Sequence, residues 1–431
     1  MSPLALGLDL GTSGLRLALL DAAGEVHTEL SSPYPGPFED PRSWQEGLIS
    51  LLERIPARER ARVHALAIDG TSGTLLVCRP DGALLEGQLG RALPYHRACP
   101  EQAAAASRLS GAAAGTPGAA AGASGSLARA LHLLGIAAET GVEGPLLLRH
   151  QADWLMGWIL DDWRWGEEGN NLRLGWDPAL GRWQGRIAQQ SWSAGLPGIL
   201  PSGSVVGPLA PGRAARLGLP PHCRVVAGST DANAGVLAAA PETGDGVTVL
   251  GTTLVLKQFV PSPLAGAGVS CHRVDGRWLA GGASNAGAGV LRRFFSDTLV
   301  AELSRQIDPE TPSGLTLRPM PCTGERFPVD DPFLEPVLEP RPVSDALYLQ
   351  ALLEGLTAIE LAGWRRLAEL GAPPVRRILT IGGGARNPQW RRLRQRALGI
   401  PVLNRPHCTA ALGMARLARG RMGVPGPAPH E

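Results

Sequence analysis

Lysine is nearly missing from this sequence. Lys257 is the only one in 431 residues, although lysine and arginine together number 41. That scarcity excludes two common ways of binding a nucleoside triphosphate. A P-loop places a lysine directly after its glycines, and a protein kinase needs a strand lysine beside its nucleotide loop. Lys257, in LVLKQFV, has neither context. Cysteine is sparse as well: Cys78, Cys99, Cys223, Cys271, Cys322 and Cys408 are scattered, and none forms a C-x-x-C pair. A zinc site and a disulfide framework are therefore not expected. Charged residues make up 19% and the net charge is +2, with no basic run, so nucleic acid is not an expected partner. No apolar run is long enough to span a membrane. The opening MSPLALGLDLGTSG lacks a basic stretch before its apolar residues and reads as a first strand rather than a signal peptide. The expectation is a cytoplasmic protein with no membrane association.

What the sequence does contain is length and apolar material for two cores, with 44% hydrophobic residues. Leu4–Leu10 is an apolar strand that ends in Asp9-Leu10-Gly11-Thr12-Ser13-Gly14. Leu15–Leu20 follows as a second strand, and Glu25–Leu30 alternates as a third. A similar pattern recurs at Val63–Ile68, which runs into Asp69-Gly70-Thr71-Ser72-Gly73-Thr74, then Leu75–Cys78 and a continuation at Ala83–Leu85. A third instance leads from Val247–Leu250 through Gly251-Thr252-Thr253 to Leu254–Val260. Repetition of strand, Gly/Thr turn and strand points to duplicated architecture.

Between the copies, residues 102–126 are rich in Ala, Gly, Ser and Pro and suit a loose helix followed by a loop, after which Ser126 is expected to cap a helix through Leu134. Seven of the eleven tryptophans lie between residues 150 and 192, where they suit either core packing or stacking on a sugar ring. Further on, Arg224–Ala227 is a strand leading through Gly228-Ser229-Thr230-Asp231 to a helix at Ala232–Ala240. Leu347–Leu370 has helical periodicity, and Arg377–Ile381 is a strand running into Gly382-Gly383-Gly384. Ala410–Arg419 is a last helix, and the terminal GVPGPAPHE is expected to fray.

Four places carry residues suited to phosphoryl transfer, which needs donors and a metal for the phosphates, a held nucleophile and a proton acceptor. In Asp9-x-Gly11-Thr12-Ser13-Gly14, glycine lets phosphate approach backbone N–H groups, Thr12 adds a hydroxyl, and Asp9 suits hydrated Mg²⁺. A plain hairpin turn is the alternative. Gly251-Thr252-Thr253 has the same make-up and the same alternative. Gly382-Gly383-Gly384-Ala385-x-Asn387-Pro388 suits a flat ligand lying against backbone, with Asn387 or Trp390 touching it, or else a tight strand-to-helix connection. Asp231, at a helix start, is either an N-cap or a general base for a hydroxyl proton.

The order of these elements resembles the FGGY carbohydrate kinase family over nearly the whole chain, and within it the short D-ribulose kinase/xylulokinase-like branch of cyanobacteria and plant plastids. LALGLDLGTSGLRLALLDAAGEV resembles the family's first phosphate motif, and VVAGSTDANAGVLAA the segment with its catalytic Asp. TVLGTTLVLK resembles the second phosphate motif, and LTIGGGARNPQWRRLRQRALGIPVLN the adenosine motif. The resemblance implies an α/β protein of two actin-like (ribonuclease H-like) ATPase domains with an interdomain active-site cleft. The first would span residues 1–238, completed by a C-terminal helix within 408–431, and the second residues 239–407. ATP and Mg²⁺ are the implied cofactors, and a small-molecule sugar is the implied partner of a monomer or homodimer.

Carried over by position, the resemblance makes Asp231 the base, gives Asp9 to metal and sugar, and gives Thr12 to the γ-phosphate. Gly11 and Ser13 share that first phosphate turn; Gly251, Thr252 and Thr253 would hold phosphate; Gly383, Gly384, Asn387 and Trp390 would lie against the nucleoside. Thr71, Ser72 and Gly73 would touch the sugar. Typical xylulokinases carry a Gln-Met-His stretch at that last place, which favours D-ribulose over D-xylulose here. The chain departs from the family at Cys408-Thr409-Ala410, where Glu-Ala is common, and at Arg396, where Asp is usual. A D-xylulose or polyol kinase, and an actin-like filament or chaperone ATPase, remain as alternatives.

Overall fold

The computed structural model describes residues 2–111 and 119–423. Residues 103–110 form a helix, but the rest of the expected helix-and-loop region includes residues 112–118, which lie outside the described residues, as does the tail at 424–431. The chain divides into two compact units. Unit 1 comprises Met1–Ala238, Arg273–Gly276 and Thr409–Glu431, and unit 2 comprises Ala239–His272 and Arg277–Cys408. Among the described residues no helix is long and apolar enough to cross a membrane.

Unit 1 is organised by a six-stranded sheet. Its strands are β1 (Leu4–Leu10), β2 (Leu15–Asp21), β3 (Val26–Ser32), β4 (Val63–Gly70), β5 (Val205–Pro208) and β6 (Arg224–Thr230). They lie in the order β5-β6-β4-β1-β2-β3. β1–β2–β3 is an antiparallel meander, while β4 and β6 run parallel to β1. Alternation in LALGLDL divides the labour of β1. Leu4, Leu6, Leu8 and Leu10 enter the main core with helices α1 (Pro41–Glu53) and α2 (Gln151–Leu160). Ala5, Gly7 and Asp9 face the other way.

The small residues on that second face admit a helix at very short range. This is the helix at Ala410–Arg419, far away in sequence, which packs on β1 and on the helix at Asp231–Ala238. A Cβ on Gly7 would lie 2.0 Å from the Ala411 carbonyl oxygen, and one on Gly413 would lie 1.8 Å from the Ala234 carbonyl oxygen. Glycine is thus required at both contacts.

Unit 2 repeats the scheme. Its strands are β7 (Asp245–Leu250), β8 (Leu254–Val260), β9 (Val269–Val274, of which residues 269–272 belong to this unit), β10 (Arg277–Ala283), β11 (Arg377–Ile381) and β12 (Val402–Asn404). Their order is β9-β10-β8-β7-β11-β12, with β7, β8 and β10 antiparallel and β11 and β12 parallel to β7. A long helix at Asp345–Glu369, capped by Ser344, and a second at Pro388–Leu398 cover this sheet and fill its core with Leu349, Leu352, Leu356 and Trp390. The sheet is pinned from within by a buried ion pair: Arg394 donates to Glu360 at 2.7 Å and to the Thr380 hydroxyl at 2.6 Å.

Leu75–Cys78 is a strand as expected, and it pairs antiparallel with Leu147–His150 outside the six-stranded sheet. Two local expectations need correction. Ala83–Leu85 is not a strand; only a single bridge joins Leu84 to Cys78. The helix expected from Ser126 runs Ser126–Glu139 with Gly125 at its cap position, and the buried Ser126 hydroxyl instead meets His150 Nε2 at 3.0 Å.

Candidate active site

Three parallel strands of unit 1 end side by side, and each brings a carboxylate to that end. Asp9 on β1 is the register partner of Asp69 on β4, and Asp69 in turn pairs with Ser229 on β6. Two residues beyond Ser229 the chain enters the helix that begins at Asp231. A bulge in β6 between Val226 and Ser229 sets this register, and Gly228 sits at the bulge. A Cβ there would lie 1.8 Å from the Ile68 carbonyl oxygen.

Asp9 is buried and accepts a 3.0 Å bond from Arg16 Nη1, its antiparallel neighbour on β2. Asp231 is half-buried; its Oδ1 accepts from the Ala232 N–H at 2.8 Å. Burial pushes its carboxyl up to about 6 and Asp9 adds to the rise, while the backbone of Ala232 and Ser72 and the charge of Arg173 oppose it. Its own backbone contact is the bond of a helix start, yet the raised pKa gives Asp231 the character of a proton acceptor near neutral pH. In the sequence Asp69 carries no signal beyond its place near the end of a strand. It is wholly buried, and burial followed by the charges of Asp9 and Asp231 holds its carboxyl well above the usual range.

The first phosphate-type turn closes through a bond from Gly11 N to Gly14 O at 3.0 Å. Gly14 has no room for a side chain, since a Cβ would lie 2.3 Å from Ser32 O. Thr12 and Ser13 are exposed, and the Thr12 hydroxyl lies 3.4 Å from the Tyr95 hydroxyl. Tyr34 ties the turn down by donating to Gly11 O at 2.8 Å.

The Thr71–Gly73 turn is held from several sides. Thr71 donates to Gln151 Oε1 through both N (3.1 Å) and Oγ1 (2.7 Å). The Thr74 hydroxyl bonds Thr71 at 2.6 Å and accepts from Tyr95 N at 3.1 Å. Buried Arg129 donates to the carbonyls of Gly73, Arg97 and Tyr95. Arg173 reaches Ser72 O and Ser124 O. Gly73 adopts φ +101, a left-handed value that favours glycine. Tyr34, Tyr95, Arg129, Gln151 and Arg173 were not singled out in the sequence. Of these, only Gln151 and Arg173 fall in the region flagged by its tryptophans.

Most of those tryptophans are structural. Trp154, Trp158 and Trp163 are buried in the main core, with Trp154 edge-on to Trp44. Trp176 and Trp183 meet edge to face across a small hairpin. Nearby, Asp153 and Glu167 accept from a backbone N–H and from amide groups, and Asn170 reaches the Ser229 carbonyl at 3.4 Å, bracing the end of β6.

In unit 2, the structure brings two of the glycine turns together. β7 runs into Gly251-Thr252-Thr253, and the parallel β11 runs into Gly382-Gly383-Gly384 beside it. A Cβ on Gly382 (φ +87) would meet Leu250 O at 2.8 Å, and one on Gly384 would meet Leu250 Cβ at 2.6 Å. Thr252 and Gly383 are exposed, and a Cβ on Gly383 would meet nothing within 4 Å. The turn backbones therefore have open faces that admit a ligand.

Two residues assigned to the nucleoside are otherwise occupied. Asn387 Oδ1 caps a helix by accepting from Gln389 N and Trp390 N, each at 3.0 Å, and its Nδ2 donates to Ser304. Trp390 is buried at 2% exposure, and its Nε1 donates to the Thr357 hydroxyl at 3.2 Å. Both side chains serve the scaffold under the Gly383 turn. The fold also gathers Cys99, Glu101 and His132, which the lack of C-x-x-C spacing gave no hint of. His132 there makes a partly exposed pair with Glu101 at 2.8 Å, and burial pushes the Cys99 thiol up, away from the thiolate a metal needs.

The two sheets, each a meander extended by parallel strands, define the two-domain actin-like ATPase fold. Known proteins share it over almost the whole chain. The structure is similar to xylulose kinase from Rhodospirillum rubrum, with TM-score 0.79, 20% identity and coverage of 98% of this chain and 90% of that one. It is also similar to Plasmodium falciparum glycerol kinase with ADP, with TM-score 0.76, 14% identity and coverage of 98% and 91%. In sequence, the chain is 26% identical over 461 residues to xylulose kinase from Klebsiella pneumoniae, covering 96% of this chain and 89% of that protein. Residues 243–419 match the C-terminal domain of the FGGY family of carbohydrate kinases.

Proposed function

We propose that this protein is an ATP-dependent sugar kinase that transfers the γ-phosphoryl group of ATP to a free pentulose hydroxyl, with D-ribulose the preferred acceptor and D-ribulose 5-phosphate the product. The observation that carries the reading is the convergence of Asp9 and Asp231 at the same end of the sheet, where the two strands that flank β4 finish, beside the exposed Thr12 and the braced Thr71–Gly73 turn. The match of residues 243–419 to a carbohydrate-kinase domain supports the reaction class.

In this reading the sugar hydroxyl is oriented by Asp231, which accepts its proton as the bond to phosphorus forms. A loose phosphoryl-transfer transition state releases that proton late, so a carboxylate of ordinary basicity suffices. Asp9 offers the hard oxygen that Mg²⁺ prefers, and when bound the ion neutralises phosphate charge. Thr12 and the open backbone of Gly11 and Ser13 supply donors to phosphate oxygens. Within unit 2, the paired turns suit the nucleotide, with Gly251, Thr252 and Thr253 for phosphate and Gly383 and Gly384 for the flat face of the nucleoside. Ser72 and Gly73 meet the sugar, and their difference from the Gln-Met-His of typical xylulokinases is the reason for preferring D-ribulose.

The test is Asp231→Ala. Sugar-dependent phosphorylation, followed by ³¹P NMR of the product, should disappear while the protein still binds ATP. Retained turnover would remove Asp231 from the role of base.

A further inference from the structure

Asp69 presents a problem that the proposed reaction does not use. Its side chain is 0% exposed, and neither carboxylate oxygen meets an N–H or hydroxyl donor; the one group within hydrogen-bond reach is the carboxylate of Asp9. Such a group is among the least favourable to bury as an anion, because it gives up water and meets only a second acceptor. The surrounding donors are committed elsewhere. Tyr34 donates to Gly11 O, Gln151 is spent on Thr71 and Tyr34, and Asn233 Nδ2 reaches Ser229. The register places a second carboxylate, Asp9, directly beside Asp69, and Asp231 adds a third negative charge nearby. The cation at hand is Arg16, which bonds Asp9 rather than Asp69 and keeps 49% of its side chain in solvent.

Two adjacent buried carboxylates, one wholly without donors, suit a hard divalent cation, which takes carboxylate oxygens and carries its own waters. We propose that Asp69 and Asp9 together bind a divalent cation of the Mg²⁺/Mn²⁺ class in unit 1 in the absence of nucleotide, with Asp69 as a ligand in its own right. The inference rests on the reading of Asp9 as the metal-site carboxylate, and it goes further in making the site independent of ATP. The rival occupant is a proton shared between the two carboxyls.

Mn²⁺ binding to nucleotide-free protein, followed by electron paramagnetic resonance, separates the two. One site per chain is expected in the wild type, with affinity reduced at least tenfold in Asp69→Asn. In parallel, added Mg²⁺ without ATP should raise the melting temperature of the wild type, and Asp69→Asn should lose that response and melt higher than the wild type in EDTA. Absence of Mn²⁺ binding in the wild type, or equal binding by Asp69→Asn, overturns the proposal in favour of the shared proton. Should Asp69→Asn fail to fold, the wild-type titration still decides, with Asp9→Asn as the second variant. A wild type that phosphorylates a sugar with Mg-ATP yet takes up no Mn²⁺ alone keeps the kinase reading and loses this one.

Discussion

Asp231→Asn should make the protein more stable at neutral pH while disabling it. Asparagine keeps the Oδ1 acceptor for the Ala232 N–H and removes the charge. The wild-type carboxyl is raised from 3.8 to about 6, chiefly by burial. The folded state therefore holds the proton more tightly than the unfolded state. The stability this confers is fully present below pH 3.8 and is lost as pH rises through about 6. At full strength the rise corresponds to about 3 kcal/mol at pH 8. Asp231 retains partial access to solvent, which reduces the expected gain from removing the charge to about 1–2 kcal/mol. For a unit of this size that is a rise in melting temperature of about 2–8 °C. The assay is thermal denaturation of both proteins from pH 4 to pH 8. The difference should open as pH increases and close near pH 4, while sugar-dependent turnover falls by about 10²–10⁴-fold. An Asp231→Asn protein less stable than the wild type at pH 8, or a difference independent of pH, would refute the reasoning that burial of this charge opposes folding.

Other substitutions test the scaffold. Gly413→Ala would force a Cβ to within 1.8 Å of the Ala234 carbonyl oxygen, in the helix that begins at Asp231. It should cost about 1–3 kcal/mol and lower kcat, read from urea unfolding and steady-state rates. Glu360→Ala leaves Arg394 buried without its counter-charge and should destabilise by about 3–5 kcal/mol in chemical denaturation, without a specific effect on sugar KM. Trp390→Phe should lose about 1–3 kcal/mol through the broken bond to Thr357 and an underfilled core, with KM for ATP within about twofold of wild type. A large rise in that KM at unchanged stability would return Trp390 to the nucleoside. Gly383→Ala meets no atom of its own chain, so its melting temperature should hold while KM for ATP rises at least tenfold. An unchanged KM there would mean that no ligand approaches this backbone.

Elements with their own local signals were legible in the sequence. β1 alternates and flanks a Gly/Thr turn with the apolar β2, and the Leu347–Leu370 periodicity emerges as the helix at Asp345–Glu369. The same turn in unit 2 marked the duplication. What stayed hidden depends on long-range pairing. Leu75–Cys78 looks like any strand after a turn, and its partner at Leu147–His150 is set by a ribbon outside the main sheet. Asp69 is an unremarkable strand end until the parallel register brings it beside Asp9. Gln151 bonds Thr71 across 80 residues, a distance over which sequence patterns carry no signal. Trp390 and Asn387 fit a ligand-facing motif equally well as a helix cap and a core residue, and only packing around Thr357 and Ser304 distinguishes the two.

The most direct test of the kinase reading is a coupled ADP-release assay with Mg-ATP and a panel of pentuloses and polyols. The account predicts turnover strongly stimulated by D-ribulose, with D-xylulose and glycerol far behind. Steady ATP hydrolysis that no sugar changes would contradict it and point to an actin-like ATPase without a sugar acceptor.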